Sequence, residues 1–400
     1  MRIMILTNSP RTNSGYATVA KNLSVELRKL GHDIAITGMQ TSYEMEGYRG
    51  ISVYPIMSDF HEATSIQAQI NRLILNMKDH QSEALLCLFQ GDSMYNPFTQ
   101  VHPNTTWWVP IEGQIVYKNH PLFNTARKVK KVVSMTHSAG KQLSDHGIEN
   151  ITIYHGYDPK IFGKDYRGDI KEPITIYFSQ TNEEVIMPAS ALSEFKDKMG
   201  IEYLIGYGGQ NFGVRKRPER LLHAFSIFAK DKKNVHMHLH CYPVSSRGLN
   251  LLEICDYYNI KDKVTFSYGN IRSSGWSPQA LNILYNQFDT FASASSGEGF
   301  GLMHLESMAV GVPQIAPDVE PFREFFGNDE RGLRASGMKQ MTPLGENRFL
   351  VNSSDLAQKM QIMYEDKNLR KYMGENSAKW ATQFQWSVIA KKFNAILSNI

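Results

Sequence analysis

Two glutamates, Glu298 and Glu306, stand eight positions apart in the stretch Ser293–Pro313, SASSGEGFGLMHLESMAVGVP. Gly297, Gly299 and Gly301 beside them let the backbone approach a ligand closely and leave amides unpaired at a helix start, where the helix dipole favours an anion. A phosphate fits such a turn. The first glutamate lies in the loop and the second about one turn into the helix, so both can face one cleft. Read from the residues alone, the same stretch is equally a structural strand-to-helix turn whose acids answer the helix dipole. A second group, Arg215, Lys216, Arg217 and Arg220, crowds the start of another helical segment. It reads either as a solvated helix start or as the cationic wall of an anion site.

These residues need elements to position them. The opening Ile3–Leu6, Thr7–Tyr16, Ala17–Leu30 and Ile34–Thr37 alternates strand, loop, amphipathic helix and strand, and Gly31 falls where a helix-ending glycine belongs. Apolar runs at Leu85–Phe89, Trp107–Pro110, Val132–Met135 and Ile151–Tyr154 continue the pattern. From Gly163 to Ala191 it weakens around a possible hairpin, Ile174–Ser179 with Glu184–Met187, which marks the expected interdomain connection. A second series follows: Tyr203–Tyr207, the helix Pro218–Lys230, then strands at Val235–His240, Val264–Tyr268 and Thr290–Ala294. Two doubly wound α/β domains are expected, with the glutamate segment at the carboxyl end of a strand, where open α/β sheets bind ligands.

Composition narrows the alternatives. A chain of 400 residues exceeds what one core usually supports. With 42% apolar and 20% charged residues it is an ordinary globular sequence, and no apolar run is long enough to span a bilayer. Cys87, Cys241 and Cys255 are distant and odd in number, which argues against a disulfide or zinc framework. The start, Met1-Arg2 followed directly by a strand-like run, does not look like a signal peptide, so a cytoplasmic protein is expected. The formal net charge of +4 does not by itself imply a polyanion partner. Arg127, Lys128, Lys130 and Lys131 form a local basic cluster, read as a solvated helix face in preference to a membrane or nucleic-acid contact.

The string EGFGLxxLExMAxGxP, from Glu298 to Pro313, resembles glycosyltransferase family four, retaining enzymes of the GT-B fold. The resemblance runs through nearly the whole chain. It implies two Rossmann-like domains facing a central cleft: an acceptor-side domain at 1–170, on which a C-terminal helix at 381–400 packs back, and a nucleotide-sugar domain at 171–380. It implies that Glu298 contacts hydroxyls of the transferred sugar and Glu306 the donor ribose, while the amides of Gly299, Phe300, Gly301 and Leu302 hold the diphosphate. The segment Ile151–Phe162, ITIYHGYDPKIF, is similar to the one that ends the family's first domain. The segment Gly206–Phe225, GYGGQNFGVRKRPERLLHAF, is similar to its phosphate-gripping loop and places Lys216 at the family's lysine. Asn211 stands where the family usually has an arginine, and Arg215 is the nearest substitute.

Cations there have a direct purpose. Breaking a sugar–phosphate bond leaves negative charge on the diphosphate, and fixed positive groups stabilise that state more than the ground state. In the first domain the resemblance brings the Gly15 loop towards the donor. Glu112, in Val109-Pro110-Ile111-Glu112-Gly113, either contacts an acceptor hydroxyl or caps the next segment; His120 and His137 are alternatives that read as exposed loop histidines. No Asp-x-Asp pair is present and Asp165 and Asp169 are loosely spaced, so no metal and no cofactor beyond the nucleotide-sugar donor is expected. The acceptor, a sugar, lipid, protein or nucleic acid, would dock on the aromatic loops Tyr43–Phe60 and Tyr95–Pro121. The expected activity is retaining, hexosyltransferase-type glycosyl transfer by a front-face route without a protein nucleophile. A nucleotide-sugar-binding module or an epimerase of the same fold is the alternative.

Overall fold

A computed structural model describes the chain apart from residues 13, 40–44, 57–64, 91–94, 165–169, 270–274 and 399–400. Two compact units result: Met1–Gly156 with Leu344–Glu346 and Phe384–Ile400, and Tyr157–Pro343 with Asn347–Gln383.

In the first unit β1 (Arg2–Asn8), β2 (Asp33–Met39), β3 (Glu46–Tyr48), β4 (Ile51–Pro55), β5 (Ala84–Cys87) and β6 (Thr105–Val109) are followed by the two-residue β7 (Gln114–Ile115), β8 (Lys131–Ser134) and β9 (Ile151–Thr152). The sheet runs β3-β4-β2-β1-β5-β6-β8-β9, and among its pairings only β3 with β4 is antiparallel. Ile3, Met4, Ile5 and Leu6 are all buried, as a strand covered on both faces requires. The first helix, Gly15–Lys29, begins at an N-cap: the Ser14 side chain accepts a bond from the Ala17 amide, and Gly31 at φ 91° turns the chain after its end. The closing helix, Trp386–Leu397, buries Trp386, Ile389, Phe393 and Leu397 in this unit and packs on Gly15–Lys29.

The second unit holds β10 (Pro173–Phe178), β11 (Glu183–Pro188), β12 (Tyr203–Gly208), β13 (Val235–His240), β14 (Val264–Tyr268), β15 (Thr290–Ala292), β16 (Gln314–Pro317) and β17 (Gly332–Ala335). They run β11-β10-β14-β13-β12-β15-β16-β17, parallel except where β10 meets β11 and β14. The hairpin taken from the sequence as a linker is therefore sheet. Ile174 and Ile176 bury one face of β10, and register with β14 fixes it. The chain also changes units after Gly156, not at 170. Phe162 packs on Tyr285, and the Gly163 amide donates to the Asn282 side chain, which tie that stretch to the second core. Alternation in β13 points Val235, Met237 and Leu239 one way and His236, His238 and His240 the other. The histidines hydrogen-bond to Thr265 and Ser267 of β14. Among the described residues no helix is long and apolar enough to cross a membrane.

Candidate donor site in the second unit

The two segments singled out in the sequence follow adjacent strands, β12 and β15. After β12 the chain makes a short helical turn, Gly213–Lys216, and Arg217 then takes a left-handed conformation at φ 51° before the helix Pro218–Ala229. After β15 the loop Ser293–Gly301 leads into the helix Leu302–Val310, and Gly301 at φ 102° makes the turn that a side chain would strain. A backbone bond from the Ser296 amide to the Arg215 carbonyl, 2.7 Å, holds the loops together. On the far side of the second helix Gly374 allows close packing: a Cβ there would lie 2.2 Å from the Gly311 carbonyl oxygen.

Glu298 is 8% exposed and grips both cations of the opposite loop. Lys216 Nζ is 2.6 Å from Oε1 and Arg215 Nη1 is 3.0 Å from Oε2. Burial opposes the charge on this carboxyl, but Lys216 and Arg215, with hydrogen bonds from Lys216 and Ser295, outweigh it and hold the group down to about 2. Glu298 is thus an anion fixed by two cations. Glu306 is its opposite. It is 6% exposed and receives a 3.0 Å hydrogen bond from the Tyr285 hydroxyl; burial pushes its carboxyl up to about 7, against the lowering effect of that bond. Two residues earlier His304 donates from Nδ1 to Gln314, whose amide in turn donates to Ser307 and to the Val312 carbonyl. Burial brings this imidazole down to about 4, so it is neutral.

The rest of the basic run is otherwise engaged: Arg217 lies 3.5 Å from Glu219, and Arg220 donates to the Val351 carbonyl. Asn211 is buried, and its amide donates to the carbonyls of Tyr242 and Leu249 while its oxygen accepts from the Leu249 amide. It braces the 242–249 segment. Arg215 is the guanidinium that reaches Glu298. Tyr285 was missed in the sequence, because a contact between two helices, Pro278–Gln287 and Leu302–Val310, leaves no periodic signal.

The remaining candidates lie in the first unit. Gly15 is the first residue of its helix, whose cap Ser14 also accepts from Asn8. Glu112 is half-buried, with the Gln90 amide 3.5 Å away. His120 is buried, contrary to the sequence reading, because its Nδ1 accepts the Leu122 amide and caps the helix Pro121–Ala126. His137 is exposed at the start of the helix His137–Asp145. The Arg127–Lys131 cluster is not a helix face. The helix ends at Ala126 and these residues form the turn into β8, where Arg127 donates to the His146 carbonyl and Lys131 to that of Ile396. Asp165 and Asp169, and parts, at 43–44 and 57–60, of the loop expected to meet the acceptor, lie outside the described residues.

Residues 202–380, which contain both loops of the site, match the family model described as Glycosyl transferases group 1. A D-inositol 3-phosphate glycosyltransferase of Corynebacterium efficiens is 26% identical over 124 residues, 30% of this chain and 26% of that protein. The chain thus spans about a quarter of the length of such curated relatives. Among solved structures, sucrose-phosphate synthase from Thermosynechococcus elongatus has a TM-score of 0.74 at 14% identity, over 100% of this chain and 98% of that one. HepE of Anabaena, in complex with UDP and glucose, has a TM-score of 0.68 at 15% identity, over 100% of both chains. The likeness is one of fold, and with two mostly parallel Rossmann-like sheets that fold is GT-B.

Proposed function

We propose that this chain is a retaining glycosyltransferase of the hexosyltransferase type, which moves a sugar from a nucleotide diphosphate to an acceptor hydroxyl. The observation that carries the reading is the convergence of Arg215 and Lys216 on Glu298, at the glycine turn that opens the helix Leu302–Val310. The match of residues 202–380 to a glycosyltransferase family model supports it, as does the nucleotide and sugar held by HepE.

In this reading the amides of Gly299 to Leu302 receive the diphosphate, and Lys216 and Arg215 neutralise the charge that grows on it as the sugar departs. Glu298, kept ionised by those same cations, accepts hydrogen bonds from sugar hydroxyls. Glu306 accepts from the ribose. The leaving phosphate oxygen takes the proton of the acceptor hydroxyl, while the new bond forms at the anomeric carbon on the face the phosphate leaves. The two cations carry the charge compensation, so the step needs no metal ion. Gly15 and Glu112 are the first-unit candidates for the donor phosphate and the acceptor.

The test is incubation with UDP-, GDP- and ADP-sugars and a mixed acceptor pool, with mass spectrometry of products and NMR assignment of the anomer. An α-linked donor giving an α-linked product is expected. An inverted product overturns the retaining assignment, and nucleotide-sugar binding without turnover on any acceptor makes the chain a binding module.

A further inference from the structure

The two glutamates of the site are held in contrasting ways, and the second is held by one neutral side chain. Tyr285 lies on the helix Pro278–Gln287, is fully buried, and is packed by Phe162, Phe288 and Phe291. Its hydroxyl donates to Glu306 Oε2, whereas Oε1 has no partner among the described residues. We infer that Tyr285 is a positioning residue for nucleotide binding: it fixes the Glu306 carboxyl and favours its ionised form, so that the free oxygen is presented to the ribose. The inference rests on the ribose role given to Glu306 above.

Among the described residues the surroundings leave that task to Tyr285. The helix Pro278–Gln287 carries no charged side chain, and on the helix Leu302–Val310 the other titratable group is the neutral His304. The helix Lys367–Ala381, which packs on the same helix, turns Lys367, Lys371, Glu375 and Lys379 to solvent, and its Arg370 donates to the carbonyls of Met363 and Tyr364. Among the described residues no cation plays the part that Lys216 and Arg215 play for Glu298. A buried carboxyl without a cation favours its neutral form, and a neutral donor on one oxygen shifts it back towards the anion. Such a carboxyl titrates close to neutrality, at about 7. Donor affinity should then depend on pH in the working range.

The experiment measures affinity for UDP, GDP and ADP, which share the ribose, from pH 6 to 9 by calorimetry on the wild type, Tyr285→Phe, Glu306→Gln and the double variant. Glu306→Gln supplies the baseline for titration of the nucleotide's own phosphate. Relative to that baseline, wild-type affinity should fall about tenfold from pH 8 to pH 6. In Tyr285→Phe the fall should begin at higher pH, with several-fold weaker binding at pH 7 that recovers at pH 9. The double variant should match Glu306→Gln. A Tyr285→Phe profile that is unshifted, or lowered equally at every pH, overturns the inference. If Glu306→Gln binds every nucleotide like the wild type at all pH values, the ribose assignment itself is what fails.

Discussion

Lys216 Nζ lies 2.6 Å from Glu298 Oε1, and Arg215 takes the other oxygen of the same carboxylate. A glutamate expected to meet a sugar and two cations expected to meet a diphosphate therefore form one ion group, its carboxylate buried and its cations half-buried, set across the loops after β12 and β15. Breaking such a group by removing one member leaves the rest uncompensated. In the proposed reaction an incoming diphosphate would offer the cations a second anion without requiring Glu298 to neutralise.

Lys216→Ala should lower turnover more than it weakens donor binding, because the charge it answers grows during bond breaking. The expected loss in kcat is on the order of 100-fold, comparable to removal of one transition-state donor. Arg215→Ala, measured beside it, separates the two cations. If only Arg215→Ala lowers kcat, the phosphate role belongs to the arginine and Lys216 merely anchors Glu298.

Glu306→Ala should weaken nucleotide and nucleotide-sugar binding to the same extent, since both carry the ribose. The expected cost is about 1 to 3 kcal/mol, as for a hydrogen bond to a charged group. Calorimetry with the free nucleotide and with the intact donor checks it. A loss confined to the intact donor would move Glu306 from the ribose to the sugar.

The alternation of elements and the two chemical segments were legible in the sequence because each depends on local pattern: glycines for a turn, apolar periodicity for strands and helices. What the sequence hid depends on contacts between distant positions. The pairing of β10 with β14 makes sheet of a segment that reads as a linker. The commitment of Asn211 to the 242–249 segment explains why an asparagine there braces a loop, yet spacing alone shows only a missing arginine. His120 reads as a loop residue and is a helix cap. Tyr285, which the sequence did not single out, is core, and the role of its one polar atom is visible only through Glu306.

The β13 histidines give a stability prediction with a definite sign. Burial lowers His236 to about 3 and His240 to about 4, and pulls His238 well below its ordinary value, with further lowering there by its two histidine neighbours. A depressed histidine is neutral in the folded chain while the unfolded chain takes up a proton below about 6.5. Full stability is therefore present above pH 6.5 and declines as pH falls towards 4, by at most roughly 1.4 kcal/mol per pH unit for each histidine. Differential scanning calorimetry should show the melting temperature dropping between pH 6.5 and 5, before most carboxylates titrate. A flat melting temperature over that interval would contradict the neutral, hydrogen-bonded row.

The closing helix provides the last test. Phe393 meets the fully buried Trp108 edge-on at 4.6 Å between ring centres, and Trp386 lies so close to Gly156 that a Cβ there would be 2.7 Å from its ring. Tyr154 stacks on Phe384 at 5.0 Å, and His32 hydrogen-bonds Asn394 at 2.7 Å. The helix is thus part of the first unit's core, reached by a chain that has already built the second. Phe393→Ala removes a buried aromatic contact and should cost about 3 to 5 kcal/mol. Gly156→Ala should also destabilise, since the Trp386 backbone as well as its ring stands within 3 Å of the added carbon and has little room to yield. Deleting 384–400 should uncover Trp108, Tyr154 and the apolar side of Gly15–Lys29 together, giving a protein that aggregates while the nucleotide contacts proposed for the second unit stay intact. Urea unfolding of the two point variants and solubility of the truncated chain measure this. A truncated chain that stays soluble and unfolds at the wild-type urea concentration would show that the helix adds nothing to the first unit's core.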